Sequence, residues 1–152
     1  MSQQPADKSQ PAQATTLRLT LPLPPGINEQ YATVNGHRVS TQIARRFKQQ
    51  VHQTLRSLEQ QGILHNALQD RFRQGYLALF LDFYFTTPLK RDLDGGLKIT
   101  LDALCEGLNL NDNRVVDIHL SKHIDPLHPH LFVELEALAD WQFDNEYVLL
   151  NR

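Results

Sequence analysis

The chain has 152 residues, a formal net charge of −2, and hydrophobic and charged fractions of 41% and 21%. Such figures suit one globular domain with a self-sufficient core and exclude an indiscriminately basic nucleic-acid binder; the single cysteine, Cys105, excludes an intrachain disulfide framework. No apolar run approaches the roughly 20 residues that span a bilayer, and residues 1–16 lack the apolar centre of a secretory leader, so the expectation is a protein of the reducing cytoplasm with no membrane partner.

Residues 1–16, rich in Gln, Ser, Pro and Ala, are expected to form a disordered tail, because they offer too little apolar surface to offset ordering. Leu17, Leu19 and Leu21 alternate with Arg18 and Thr20, which predicts a half-buried strand that Pro22, Pro24 and Pro25 end. Residues 26–39 read as a loop with a turn at Asn35-Gly36. Ser40 is the expected N-cap of a helix whose buried stripe is Ile43, Phe47, Val51, Leu55 and Leu58, and Gly62 closes it. Residues 77–87 (LALFLDFYFTT) form the clearest strand, a central one. A second helix is expected over 93–107 with Leu97, Leu101, Leu104 and Leu108 inward. Strands over 115–123 and 131–138 follow, read as a hairpin across DPLHPH. The resulting fold class is α+β, a single domain (17–139) with a mixed β-sheet and two main helices packed on one side, in the order β-α-β-α-β-β. Residues 140–152 form a C-terminal extension whose Trp141 and Phe143 suit a core or an interface better than a base-stacking platform.

Charge is uneven along the chain. Between residues 17 and 58 the basic residues are Arg18, Arg38, Arg45, Arg46, Lys48 and Arg56, and the only acid is Glu29. A basic half beside an acidic cluster suits a protein that holds phosphates in one place and a cation in another. The acidic cluster is Asp92 and Asp94, then Asp102, Asp112 and Asp117. Asp92 and Asp94, ahead of regular helix spacing, can converge on one cation. Mg²⁺ is a hard ion that takes oxygen ligands and keeps several waters, so two or three aspartates suffice. Asp94, Lys98 and Asp102 are spaced i, i+4, i+8. A lysine one turn from such carboxylates can stabilise charge on a phosphate or orient a water. The plainer alternative makes Asp92 a helix cap, Asp94 a dipole partner and Lys98 half of an exposed pair. Asp92-Leu93-Asp94-Gly95 also matches the DxD signature of haloacid-dehalogenase phosphatases. Against that stand the intervening Pro88-Leu89-Lys90-Arg91, the short remaining chain, and Gly96 where that family carries Thr or Ser.

Taken together, the separated motifs resemble the RusA family of Holliday-junction resolvases over residues 17–138. The likeness runs from Pro24-Pro25, Asn28, Tyr31 and Val39-Ser40 through Arg91-Asp92-Leu93-Asp94, Lys98 and Asp102-Ala103-Leu104 to Asp112 and Val115-Val116-Asp117. The resemblance implies a Mg²⁺-dependent (or Mn²⁺-dependent) endonuclease that binds four-way junction DNA as a homodimer and nicks two strands symmetrically. It implies Asp92, Asp94 and Asp112 as metal ligands and Lys98 as a catalytic lysine; Asp102 and Asp117 are read as supporting residues. Two departures from the family pattern are Gly95, where Asn is usual, and Asn111, where a second acid is usual. They leave room for a non-catalytic, junction-binding relative. Lys90 and Arg91, beside the acidic pair, are expected at DNA phosphates. Arg45, Lys48 and Arg56, with His52, suit either a phosphate track or a solvated helix face, and Lys122, with His123, either DNA or solvent. His128 and His130 read as loop residues without a third soft ligand.

Overall fold

The computed structural model describes residues 14–89 and 91–144. Strand β1 (Thr16–Leu21) buries Leu17, Leu19 and Leu21 as their alternation requires. Pairing starts slightly before the expected strand, since the Ala137 amide donates to the Thr15 carbonyl at 2.7 Å, and residues 1–13 of the expected tail lie outside the described residues. The segment expected as a loop is more regular than its sequence suggests. It forms a single helical turn, α1 (Ile27–Gln30), and a two-stranded ribbon of β2 (Tyr31–Val34) and β3 (His37–Ser40). The turn does fall at Asn35-Gly36, whose φ values of 51° and 76° are those a two-residue hairpin needs.

Helix α2 (Gln42–Gln60) is capped by Thr41 rather than Ser40. The Thr41 hydroxyl accepts from the Ala44 amide at 3.1 Å, whereas Ser40 is still paired in β3. Its inward stripe is Ala44, Phe47, Val51 and Leu55; Ile43, expected there, is 55% exposed because Ala44 takes the inward position one residue on. Gly62, with φ 77°, closes the helix as expected. A third helix, α3 (Asn66–Gln74), was not anticipated. It is short, buries only Leu68 and Phe72, and is capped by the ring of His65, which carries no standard start signal.

β4 (Tyr76–Phe85) is the centre of a four-stranded sheet of order β1-β6-β4-β5, where β5 is Val115–Ile124 and β6 is His130–Leu138. The expected β5–β6 hairpin is not formed. β5 runs parallel to β4 and β6 antiparallel on the other side of it, so the two flank the central strand. A parallel pair needs a crossover of a dozen or more residues, which α4 (Leu97–Leu108) supplies. Leu77, Leu79, Leu81, Phe83 and Phe85 of β4 join the α2, α3 and α4 stripes in one core. Phe80, Asp82 and Tyr84 alternate onto the other face, beside exposed His119 and His123. The fold is thus mixed α+β in one domain, with a ribbon and a third helix beyond the expected six elements. Among the described residues no helix is long and apolar enough to cross a membrane.

Candidate active site

α4 starts at Leu97, four residues later than its leucine spacing suggests, because residues 93–96 form turns. The Asp92 carbonyl accepts from the Gly95 amide (3.4 Å) and the Asp94 carbonyl from the Leu97 amide (3.1 Å). The cap position belongs to Gly96, with no side-chain cap, so the plain reading of Asp92 as the helix cap does not hold. Both aspartate side chains are exposed on a loop that is tightly held from behind.

Hydrogen bonds and close packing hold it. Gln30, only 3% exposed, donates its amide to the carbonyls of Pro25 (3.0 Å) and Gly95 (2.9 Å). Arg91 points inward: its Nη2 donates to the Pro24 carbonyl at 2.5 Å, and its guanidinium lies 5.5 Å from the Phe85 ring. Burial pulls the Arg91 pKa below the ordinary arginine value, with the charge of Glu29 working in the opposite direction. Lys122 reaches from β5 to donate to the carbonyls of Arg91 (2.8 Å) and Pro88 (3.3 Å). Finally, Gly96 is buried against Pro24 so closely that a Cβ there would collide with the proline ring, and its carbonyl accepts from the Thr100 hydroxyl at 2.7 Å. Arg91, expected at DNA, and Lys122, expected at either DNA or solvent, therefore both make backbone contacts that support the acidic loop.

Lys98, on the first turn of α4, lies between two carboxylates: its Nζ is 2.7 Å from Asp102 Oδ1 and 3.2 Å from Asp112 Oδ2. Those hydrogen bonds, Asp102 first, raise the Lys98 pKa, so the side chain is a cation at neutral pH and not a base. Asp112 arrives there because α4 ends abruptly. Asn109 takes the left-handed conformation (φ 55°), the Leu110 amide closes onto the Cys105 carbonyl (2.8 Å), and a short 3-10 turn, Asp112–Arg114, follows. Asn111, one of the two noted departures, caps that turn by accepting from the Asn113 amide at 3.1 Å. A cleft of about 480 Å³ opens beside the pair, lined by Asp102, Cys105, Glu106, Asn109, Asn111 and Asp112. Burial, then the nearby Asp112 and Asp102 carboxylates, push the Cys105 thiol up to about 11.

The structure thus brings Lys98, Asp102 and Asp112 together. Among the described residues no three His, Cys, Asp or Glu side chains gather into a set that could hold a metal ion, Asp92, Asp94 and Asp112 included. The donor chemistry of those three is all carboxylate oxygen, which is what a hard divalent ion takes. Elsewhere, Lys48 is engaged with Glu106 of α4 at 3.0 Å, and His52 Nε2 lies 3.1 Å from the Ala103 carbonyl. Arg45 bonds the Ser40 carbonyl, and Arg56 is exposed on α2. Asp117 pairs with His119 at 3.1 Å, and Lys90 lies outside the described residues. Gln30 is the residue of the site that the sequence does not announce. A lone Gln in a Pro/Gly-rich loop carries no signal, whereas the i,i+4 spacing of Lys98 and Asp102 was one.

Compared with known families, residues 22–136 match the family model Endodeoxyribonuclease RusA. The chain belongs to the RusA endodeoxyribonuclease family. The matched span begins just after β1 and contains the ribbon, the acidic loop, α4 and most of β6, so every candidate residue of this RusA chain falls inside it. A search of curated proteins finds no match to the chain. An endodeoxyribonuclease acts on phosphodiesters, and this assignment displaces the phosphatase reading of Asp92-Leu93-Asp94-Gly95.

Proposed function

We propose that this RusA-family chain is a Mg²⁺-dependent endonuclease that resolves four-way DNA junctions, cutting two strands symmetrically as a homodimer in the cytoplasm. The single observation that supports it most is the Lys98 ammonium held by Asp102 and Asp112 on the first turn after the braced Asp92–Asp94 loop. In this reading Asp92, Asp94 and Asp112 would hold the ion through their carboxylate oxygens. Bound there, Mg²⁺ would supply Lewis acidity and a more acidic water. Mn²⁺, with similar oxygen preference, would serve in its place. Lys98 offsets negative charge that builds on the scissile phosphate, and Asp102 keeps its ammonium aimed. Gln30, Arg91 and Lys122 fix the loop so that its two carboxylates need little reorganisation. A twofold dimer would present two equivalent sites to the two equivalent strands of a junction.

The competing reading is a junction binder without cleavage. It draws on the same geometry, since Asp112 is committed to Lys98 and no three-acid set is gathered among the described residues. One experiment separates the two. Purified protein is incubated with a labelled synthetic four-way junction, linear duplex and a small phosphomonoester, each with and without Mg²⁺. Paired nicks in the junction alone, only with Mg²⁺, are expected. Junction binding without nicks sinks the catalytic reading, and phosphate release alone sinks the nuclease reading altogether.

A further inference from the structure

The β2–β3 ribbon takes no part in the main sheet, and every residue of it except Ser40 is exposed. A lone two-stranded ribbon has little stability of its own. This one is kept by its Asn35-Gly36 turn and by ties at its base. The Thr41 amide donates to the Gln30 carbonyl at 3.0 Å, and the Thr41 hydroxyl donates to the Glu29 carbonyl at 2.5 Å. Tyr31, Val34 and Val39, at 42%, 51% and 39% exposure, are therefore not on the ribbon for the sake of this chain's core.

Two features say what the ribbon is suited to meet. Its charge is one-sided: Arg38 lies on the ribbon, Arg45 and Arg46 follow at the start of α2, and the one acid of the region, Glu29, acts on Arg91. The Arg38 guanidinium also lies 4.0 Å over the Tyr31 ring, which pre-orders a planar cation and leaves its in-plane N–H groups free to point outward. A cleft of about 320 Å³ runs alongside, lined by Ile27, Asn28, Tyr31 and Arg38 among others. The ribbon's base is fixed relative to the acidic loop, because Gln30, the residue before Tyr31, donates to Gly95.

We propose that the ribbon is a second DNA contact, with Arg38 on a backbone phosphate and Tyr31 against the face of a base or sugar, beside the strand presented to the acidic loop. This rests on the DNA reading above and names a surface for it. A protein partner would be served by the apolar side chains but not by the unopposed positive charge.

The test is the anisotropy of a fluorescein-labelled four-way junction in EDTA, so that cleavage plays no part, between about 50 and 200 mM salt. Arg38→Ala should weaken binding about tenfold at mid-range salt and reduce the log–log salt slope by about 0.9, the value for one phosphate contact. Arg38→Lys should keep the slope while losing part of the affinity. Tyr31→Ala should weaken binding roughly fivefold with the slope unchanged, as loss of stacking does. Arg18→Ala, at the Glu134 pair on the far edge of the sheet, should bind as wild type. Equal thermal melts confirm folding. If wild type binds and Arg38→Ala matches it in affinity and slope, the ribbon proposal is overturned alone. A change of molecular mass in Arg38→Ala by light scattering also overturns it, since the ribbon would then be a contact between copies. If wild type itself ignores the junction, the DNA reading falls and takes the ribbon with it.

Discussion

Asp94 and Asp102 lie on neighbouring turns and are proposed to do different work, which substitution should separate. Asp94 is exposed on the loop ahead of α4, whereas Asp102 lies on the helix and is the closer of the two carboxylates at Lys98. Asp94→Asn is expected to abolish nicking of a junction while leaving its binding within about twofold, because ion-holding charge is lost without a phosphate contact. Wild-type turnover would contradict that assignment. Asp102→Asn should instead leave a residual rate, about tenfold to a hundredfold down, in keeping with partners that orient a reacting group. Asp102→Glu should recover part of it. Single-turnover nicking at saturating protein reads both, and equal losses in the two variants would mean that the two carboxylates share one role.

At the scale of elements, what matters is how separate segments hold the acidic loop and how closely two helices cross. Gln30→Ala leaves the Pro25 and Gly95 carbonyls without their donor in a buried setting, which costs about 1–3 kcal/mol. The loop should loosen with it, so nicking should fall more than junction binding; a variant with full nicking rate would show the brace to be dispensable. The α2–α4 crossing is set by Gly107, where an added Cβ would lie 2.5 Å from Leu55 Cδ1 and 3.0 Å from the His52 ring. Gly107→Ala should therefore destabilise the fold by about 1–3 kcal/mol in urea, despite the better helix propensity of alanine. A gain in stability would mean that Leu55 moves aside freely.

For the molecule as a whole, alkaline pH should be the weak side. The folded state raises the Cys105 thiol from 9.0 to about 11, and it raises Lys98 above 10.5 through Asp102 and Asp112. A raised folded pKa gives stability that is complete below the unfolded value and is lost as pH rises through the folded one. Both contributions thus fade as pH rises, that of Cys105 between about pH 9 and 11. Urea midpoints measured from pH 8 to 11 should fall, and Cys105→Ala should flatten the lower part of that fall. A midpoint independent of pH over the range would refute the coupling.

Local pattern settled a good deal of this molecule. Alternating leucines set β1, the aromatic run set β4, a 3.6-residue stripe set α2, and Asn35-Gly36 set a turn, since each is decided by neighbours a few residues apart. The acidic residues and Lys98 were legible as a family pattern in the same way. What chain order could not decide was pairing. β5 joins β4 in parallel and leaves β6 to the other side, because α4 spans the sheet between them, and no residue in DPLHPH announces that. Nor could it show that Arg91 and Gln30 turn inward and Lys122 reaches across to brace a loop, or that Asp112 closes on Lys98 from beyond the end of α4. Those are contacts between segments 14 to 67 residues apart, and only a folded core brings their partners within hydrogen-bond range.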